Sequence, residues 1–456
     1  STIQAYIDIK NIQTKVDEAE NIDDVLPEYL TRTAHKIDSN KRVEIQGLIQ
    51  KYIDHSISST INLPEDNPSY HAGVVTWQDW KPITGENAWA FFLGPIQAAR
   101  IHYLGGNHTN YVPFKDQAIQ NALPMISTFA AMQSPIGAVD YVPSGTYGNQ
   151  GDKTVNPHTV SVENNLSLYA GLRVLSATLK EELQNESDLT SDNKATITAS
   201  LETIKVMIQG GRTSNLNTTC GLLSFFHNQA WGQDEFLQGG LANDPSQSSS
   251  WVATTEPKAV DTNTWAISAL GSQQIDSWFG FGASFHDWQN VKTWGGYGRG
   301  KTLWGVGYSD QDGNGIDANG NYKQGVLSAE WTAGAITAVR NMIQYYSTVA
   351  STSPHYQQAK EFVTSLTQDE NDMINNVQKL RFSQYNKNDF PHMPNNYKTL
   401  FSLEQFQPYL YASKRYSIPF GWHANPIPST CATAWMIMVA DQFDPFLPYY
   451  PKSVIK

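Results

Sequence analysis

The sequence predicts an all-α chain folded as a toroid, in which an inner ring of buried helices stands inside an outer ring of amphipathic helices. Long apolar segments at helical spacing recur through most of its 456 residues. Segments 195–208 and 356–382 each have one polar face, as outer helices do. Other segments are apolar nearly all round and rich in Ala, as expected of helices buried on most sides. These buried segments are 87–99, 166–179, 332–342 and 432–440.

The order of helices and loops predicts one domain. The clearest helices cover about 86–104, 116–132, 162–183, 195–208, 261–270, 275–291, 329–346, 356–382 and 430–440. The long Gly-, Asn- and aromatic-rich loops between them cover about 133–160, 210–260, 293–327 and 385–428. Loops of this length in a compact domain are often functional. No linker divides the chain, so we predict an arm or peripheral helix over 1–40 and a single toroid over 41–456.

Composition narrows the class of partner. The formal net charge of −12 would repel phosphate backbones, which argues against nucleic acid. No apolar stretch is long enough to span a bilayer. Aromatic residues reach 12% while charged residues are only 16%, so neutral amides and hydroxyls must supply much of the polar surface. Flat rings and neutral amides are what carbohydrate sites use, so we expect a carbohydrate partner.

The start of the chain bears on the compartment, whereas two cysteines fix none. The chain begins at Ser1 rather than Met, which is compatible with removal of a signal peptide, so a secreted or periplasmic location is favoured. The two cysteines, Cys220 and Cys431, are too few for a disulfide framework and lack metal-ligand spacing. We expect both to be buried free thiols.

Most of the buried helices begin with a polar stretch that contains an acidic residue. These acids are Glu86, Glu163, Asp261 and Glu330. In a toroid the same ends of the inner helices converge, so the four carboxyls are expected to share a partly desolvated pocket. Any one of them alone is more simply an acid that stabilises a helix N-terminus. Four acids in equivalent places favour a site.

Such a site suits cleavage of a glycosidic bond. That reaction needs one carboxyl to protonate the leaving oxygen and a second to activate water or to attack the anomeric carbon. We predict Glu330 and Glu163 as this pair, with Asp261 next as a base or as an acid that binds hydroxyls. Carboxyls about 6.5–9.5 Å apart would predict inversion of configuration, and carboxyls about 5 Å apart would predict retention.

Aromatic residues are the second constellation. A buried Trp usually belongs to the core. Trp294, Tyr297, Trp304 and Tyr308 instead lie in a Gly-rich loop without helical period, where rings could serve as platforms for sugars. The full set predicted to bind substrate is Glu86, Asn87, Asn164, Trp265, Trp294, Tyr297, Arg299, Trp304, Tyr308, Trp331 and Trp422.

A stretch within the same loop imitates a phosphate-binding motif. Residues 295–302 match the phosphate-loop pattern letter for letter. That motif works only between a buried strand and a helix whose N-terminus holds the phosphate. The flanking sequences predict neither, so we reject a nucleotide site. Arg299 and Lys301 stay candidates for contacts with substrate hydroxyls or with an anionic sugar.

A second stretch imitates a calcium loop. Asp310, Asp312 and Asn314 match its first ligands, and Gly315 lies at the turn. The twelfth position is Asn321, where such a loop has a bidentate Glu. A tight Asp/Gly turn is the simpler interpretation. We expect that no cofactor is required, with calcium as a weak alternative.

The order of these motifs resembles the six-hairpin glycosidase superfamily, the (α/α)6 toroids, over roughly 80–445. The motifs that resemble it lie at 85–89, 162–170, 261–265, 329–334 and 432–435. The resemblance implies a glycoside hydrolase, often inverting, in a superfamily that also contains lyases, epimerases and phosphorylases. Asn164 is an amide where similar sequences often have His, so no role is transferred to that position.

Two alternatives stay open from the sequence. A polysaccharide lyase on the same fold would use Tyr, His or Arg to remove a proton from a uronic acid. A non-catalytic carbohydrate-binding or host-interaction protein would keep the aromatic platform and lack a productive pair of carboxyls.

Overall fold

The computed structural model describes residues 81–106, 109–146, 154–212, 217–218, 220–242, 251–391, 393 and 407–451. The predicted arm over 1–40 and the start of the toroid domain lie outside these residues. Within them, no helix is long and apolar enough to cross a membrane.

Helices dominate the described chain. In the first half they are α1 (Thr84–Ala88), a π-helical turn (Trp89–Leu93), α2 (Gly94–Gly105), α3 (Gln117–Ala131), α4 (Val162–Asn185), α5 (Ser191–Gln209) and α6 (Leu222–Asn228). In the second half they are α7 (Val260–Leu270), α8 (Ser272–Phe279), α9 (Ala283–Gly295), α10 (Ala329–Ser347), α11 (Tyr356–Val377), a 3-10 turn (Gln378–Leu380) and α12 (Thr430–Asp441).

Short strands occupy the long loops. They are β1 (Thr159–Ser161), β2 (Gly211–Arg212), β3 (Asn217–Thr218), β4 (Gly239–Ala242), β5 (Trp251–Thr254), β6 (Gly296–Arg299), β7 (Thr302–Val306), β8 (Tyr416–Ile418) and β9 (Trp422–Ala424). One antiparallel sheet has the order β1–β4–β5, and the other strands form antiparallel pairs β2–β3, β6–β7 and β8–β9.

The helices form two layers, as predicted. In the inner layer α4 packs against α1 and α7, while α10 packs against α7 and α12. In the outer layer α3 packs on the π turn, α5 on α4, α9 on α7 and α11 on α10. Nearly every residue of α7 is buried, whereas α5 and α11 keep exposed polar faces. The mostly helical fold of inner and outer helices is confirmed. The described chain contains five inner helical segments, so the count of six hairpins stays a prediction.

One predicted helix is broken into two. The segment 275–291 forms the end of α8 and most of α9, separated by Gly280 and Gly282 with φ of 104° and 94°. Only glycine adopts such angles without strain. The carboxylate of Asp276 accepts hydrogen bonds from the backbone N–H of Gly282 at 2.8 Å and of Ser284 at 3.0 Å. These bonds satisfy buried N–H groups at the start of α9 that have no partner within the helix.

The fourth residue of the inner helices ties each helix start to a neighbouring loop. In α4, the Asn165 amide donates to the carbonyl of the N-cap residue at 2.8 Å and accepts the N–H of Val139 at 2.7 Å. In α7, Asn263 makes the equivalent bonds at 3.0 Å and, from Phe236, at 2.7 Å. In α12, Thr433 makes them at 2.7 and 3.0 Å. A repeated polar tie therefore fixes the height of each helix start.

Aromatic rings close the centre of the toroid. Trp89 from the π turn, Trp265 from α7, Trp435 from α12 and Phe446 from the C-terminal segment meet with centroids 5.3–6.1 Å apart. The C-terminal segment is anchored because the Gln97 amide donates to the carbonyls on either side of Phe446, at 3.1 and 2.6 Å. The cluster joins segments that are far apart in sequence.

We expect the substitution Asn165→Ala to lower the free energy of unfolding by about 1–3 kcal/mol, because it leaves a buried N–H and buried carbonyls without partners. Urea unfolding measures the change. The control is Asn185→Ala, at an exposed amide at the end of the same helix, which should cost less than about 0.5 kcal/mol. Equal effects of the two substitutions would contradict the role of the tie.

Candidate active site

Three of the four predicted acids occupy equivalent positions, and all four lie close enough to repel a neighbour. Glu163, Asp261 and Glu330 are each the second residue of an inner helix, in α4, α7 and α10. Glu86 is the third residue of α1. Glu163 is repelled by Glu86 and Glu330, and Asp261 is repelled by Glu163 and Glu330. The convergence expected from the toroid is therefore present in the structure.

The three equivalent carboxyls lie in a recess. Glu163, Asp261 and Glu330 all keep partial solvent exposure. Burial is nevertheless the largest cause of their raised pKa values, and repulsion between carboxyls adds to it for Glu163 and Asp261. The pKa of Glu163 rises to about 7, and that of Asp261 rises well above its usual range. A helix N-terminus by itself would lower these pKa values, so burial and repulsion outweigh the helix dipole.

Glu163 is held by hydrogen bonds at both oxygens. Asn164 Nδ2 donates to Oε2 at 2.7 Å, and Ser167 Oγ donates to Oε1 at 2.9 Å. The other end of the Asn164 amide accepts the backbone N–H of Gly85 at 2.7 Å. The Asn164 side chain was predicted to bind substrate, but both ends of its amide make hydrogen bonds within the protein that orient Glu163. A Cβ on Gly85 would lie 2.8 Å from Asn164 Oδ1, so glycine is required for this approach.

Cys431 occupies the acid position of α12. It is the second residue of that helix, and its thiol forms a hydrogen bond with Glu330. Burial, and then the charge of Glu330, raise the pKa of the thiol. Both cysteines are free, as expected, but Cys431 is exposed and Cys220 is half-buried. The expectation that both are buried was wrong, because Cys431 faces the recess rather than the core.

An aromatic floor lies one helical turn below the acids. Side chains four residues apart share one face of a helix, at a rise of about 6 Å. Trp265 follows Asp261 by four residues, and Trp435 follows Cys431 in the same way. Trp89 follows Gly85 by the same step and is only half-buried. These three rings, with Phe446 beneath them, form the floor.

Small residues make room for the rings of the floor. The position four residues after the acid is Ser167 in α4 and Gly334 in α10. A Cβ on Gly334 would lie 2.9 Å from Trp265 Nε1. Sequence reasoning missed Ser167, Cys431 and Trp435 as site residues. Reading the residue four places after each acid would have found Ser167, and applying the same two helix positions to the helix that begins at Thr430 would have found Cys431 and Trp435.

The loop aromatics do not form a platform. Tyr297, Trp304 and Tyr308 have exposed fractions of 3%, 4% and 0%, which corrects the prediction that they stack on sugars. Trp304 lies between two cationic groups, with Arg299 and Lys379 at 4.8 and 4.7 Å from its ring. Tyr297 and Trp304 pack against each other on the β6–β7 hairpin, and Tyr308 packs against Trp331 and Tyr411, so none of the three rings is open to a sugar.

Other predicted binding residues also have structural partners. Trp294 Nε1 donates to Glu235 at 3.2 Å. Trp331, with 5% of its surface exposed, packs edge-on against Tyr308 at 5.0 Å. The Asn87 amide donates to the carbonyl of Ile83 at 2.8 Å, which is the helix-start tie of α1.

Two further residues, Arg299 and Trp422, were predicted to bind substrate. Arg299 donates to the carbonyl of Asn388 at 3.0 Å and lies 3.8 Å from the Asp389 carboxylate. These contacts hold it on the β6–β7 hairpin. Trp422 lies in β9, but its side chain is outside the part of the chain that the structure describes.

Neither the stretch that resembles a phosphate loop nor the turn that resembles a calcium loop has the structure that its motif requires. Residues 295–302 run from the last residue of α9 through β6 and a turn into β7, so no helix follows them to hold a phosphate. In the calcium-like turn, Asp312 accepts the N–H of Ser309 at 2.9 Å, and Asn314 bridges to the backbone of Val326. Asp310 accepts the N–H of Lys258 at 2.9 Å. Among the described residues, no group of three or more His, Cys, Asp or Glu is arranged to hold a metal ion. Calcium stays a prediction.

The comparisons with known proteins give similarity of overall shape. No protein-family model matches the chain. No curated protein matches it either. The unsaturated glucuronyl hydrolase from Bacillus sp. GL1, described as responsible for the degradation of glycosaminoglycan, is similar with a TM-score of 0.39 and 8% identity, over 90% of this chain and 81% of that one. A UGL variant with dGlcA-Glc-Rha-Glc is similar with a TM-score of 0.32 and 10% identity, over 75% of this chain and 73% of that one.

The acid cluster predicts a pH-dependent cost to stability. Because the folded-state pKa of Glu163 is about 7 rather than 4.5, its favourable contribution is complete below pH 4.5 and is lost as the pH rises through 7. Glu163→Gln stays neutral, so at about pH 8 it should unfold at a higher temperature than the unsubstituted protein, a gain of about 1–3 kcal/mol.

Thermal unfolding across the pH range measures this difference, which should vanish in acid. Glu202→Gln, at an exposed position of the outer helix α5, is the matched control and should show no such trend. A constant difference between Glu163→Gln and the unsubstituted protein at every pH would refute the assignment.

Proposed function

We propose that the chain is a carbohydrate-active enzyme that hydrolyses a glycosidic bond in the recess formed by the inner-helix starts. The observation that carries the proposal is the convergence of Glu163, Asp261 and Glu330 at equivalent helix positions, one turn above an aromatic floor. This places carboxyls with shifted pKa values beside the floor, in which Trp89 is half-buried and keeps a surface on which a pyranose can stack. Groups with perturbed pKa values in a recess are characteristic of functional sites.

The environments of the carboxyls suggest different roles. Burial and repulsion raise the pKa of Glu163 to about 7, while hydrogen bonds at both oxygens orient the carboxyl and offset part of that rise, so it suits a general base. Glu330 is paired with a thiol, a weak donor, and burial raises its pKa, so it suits the acid that protonates the leaving oxygen. Asp261, whose pKa is raised further by its neighbours, suits a hydrogen bond to a sugar hydroxyl or a substitute acid.

The charge of the recess favours a substrate without carboxylates. Three acids face the recess and Glu86 lies close enough to repel Glu163, so together they would repel a uronate. Arg299, suggested as a partner for an anionic sugar, is engaged by Asp389 on the β6–β7 hairpin, and Lys301 lies at the exposed turn of that hairpin. Neutral glycans are therefore better supported than the uronic acids that a lyase would require.

We expect the protein to release new reducing ends from neutral glycans without producing the ultraviolet absorbance of unsaturated sugars. Glu330→Gln and Glu163→Gln should each lower kcat by about 100- to 10,000-fold, because each removes a proton-transfer group. A reducing-end assay over a panel of neutral and acidic glycans measures both effects. Glu202→Gln, on the outside of α5, should keep full activity.

The outcomes separate the rival functions. Unsaturated products would make the protein a lyase. Binding of glycans without any product would favour a carbohydrate-binding or host-interaction protein. Hydrolysis that survives both Gln substitutions would place the reaction elsewhere in the chain.

A further inference from the structure

We propose that Ser167 is a positioning residue for Glu163, and that the indole of Trp89 sets the direction in which Ser167 donates its hydrogen bond. The proposal rests on the proposed hydrolytic function, since it takes Glu163 as one of the reacting carboxyls. It links the floor of the recess to the acid above it.

The hydrogen bonds run in one direction. Trp89 Nε1 lies 3.2 Å from Ser167 Oγ, and Ser167 Oγ lies 2.9 Å from Glu163 Oε1. An indole N–H can only donate, so the serine oxygen must accept it. The single hydroxyl hydrogen of Ser167 is then left for the carboxylate. The order of donation is therefore Trp89 to Ser167 to Glu163.

The indole also limits the alternative orientation of the hydroxyl. A serine inside a helix commonly donates to the backbone carbonyl four residues earlier, which for Ser167 is the carbonyl of Glu163. The Trp89 N–H occupies one lone-pair direction of Ser167 Oγ and so restricts its rotation. Ser167 is fully buried, where an unmatched hydroxyl would be costly, so both of its bonds matter.

Helix α1 and the turn that follows it hold Glu163 through two separate routes. The N–H of Gly85 fixes the Asn164 amide, which donates to Oε2. One turn later, Trp89 fixes Ser167, which donates to Oε1. Both oxygens of the carboxylate are thus oriented from the neighbouring inner helix. A sugar ring stacked on the half-buried Trp89 would contact the first member of the second route.

The π turn explains how Trp89 reaches this position. Pro95 lies in the first turn of α2 and has no N–H to donate. Its ring also disfavours regular helical bonding to the preceding turn. The wider turn Trp89–Leu93, in which the N–H of Gly94 bonds to the carbonyl of Trp89, accommodates Pro95. Such π turns often occur at functional sites.

The test is a direct titration of the Glu163 carboxyl by carbon-13 NMR in protein labelled at Glu side chains, with the signal assigned through Glu163→Gln. Ser167→Ala removes a bond that favours the carboxylate, so the pKa of Glu163 should rise by about 0.5–1 unit. Trp89→Phe keeps a ring in the floor but removes the N–H, and should give a smaller rise.

The double variant decides whether the two residues act in one chain. If Trp89 acts through Ser167, the variant with both substitutions should titrate like Ser167→Ala alone. Additive shifts, or an unchanged pKa in Ser167→Ala, would overturn the proposal. Trp265→Phe trims a ring of the same floor from α7 and should leave the titration of Glu163 in place.

The activity measurement separates this proposal from the hydrolytic function. On a glycan that the protein cleaves, the limb of the pH–rate profile that reports Glu163 should move to higher pH in Ser167→Ala and stay in place in Trp265→Phe. A non-additive shift in the NMR titration supports the positioning role even if no glycan is cleaved, and the hydrolytic function is then what fails. Cleavage of glycans with an unshifted titration would overturn the positioning role alone.

Discussion

The contact among four aromatic rings on the toroid axis is the constraint on which the rest of the structure depends. Trp89, Trp265, Trp435 and Phe446 come from four segments, and all their centroids lie within 6.1 Å of one another. Large rigid rings bury extensive area and tolerate little displacement. Their packing sets how the π turn, α7 and α12 lie against one another, and the small residues Ser167 and Gly334 let α4 and α10 approach the same rings.

The same arrangement places acidic groups where their ionised forms lower the stability of the folded protein. Burial and mutual repulsion raise the pKa values of Glu163 and Asp261, so their ionised forms are disfavoured in the folded state. The polar ties at the fourth helix position, such as Asn165, hold the helix starts together against that repulsion. Strained or repelling groups persist only where surrounding structure over-determines them, and such places are often functional.

Two periodic positions repeat from one inner helix to the next. The second residue supplies Glu163, Asp261, Glu330 and Cys431 to the mouth, and the residue four places later supplies either a Trp or a small residue to the floor. Gly334 is small because the Trp265 ring fills the space beside it, and Ser167 accepts the indole N–H of Trp89. Trp and small residues alternate at the floor position from one inner helix to the next. The same face of each helix therefore carries both the packing of the floor and the polar group at the mouth.

The sequence by itself determined most of the helices, their inner or outer placement and the acids at the helix starts, because periodicity and capping are local properties of the chain; the break at Gly280 and Gly282 was not predicted. The sequence did not show that Tyr297, Trp304 and Tyr308 are buried, because a loop has no periodic pattern that tells which face of an aromatic ring packs against the core. Only the tertiary structure decided that Ser167 bridges Trp89 and Glu163 and that Cys431 pairs with Glu330. Those contacts join different helices, and the distances between helices are set by packing, which has no local signal.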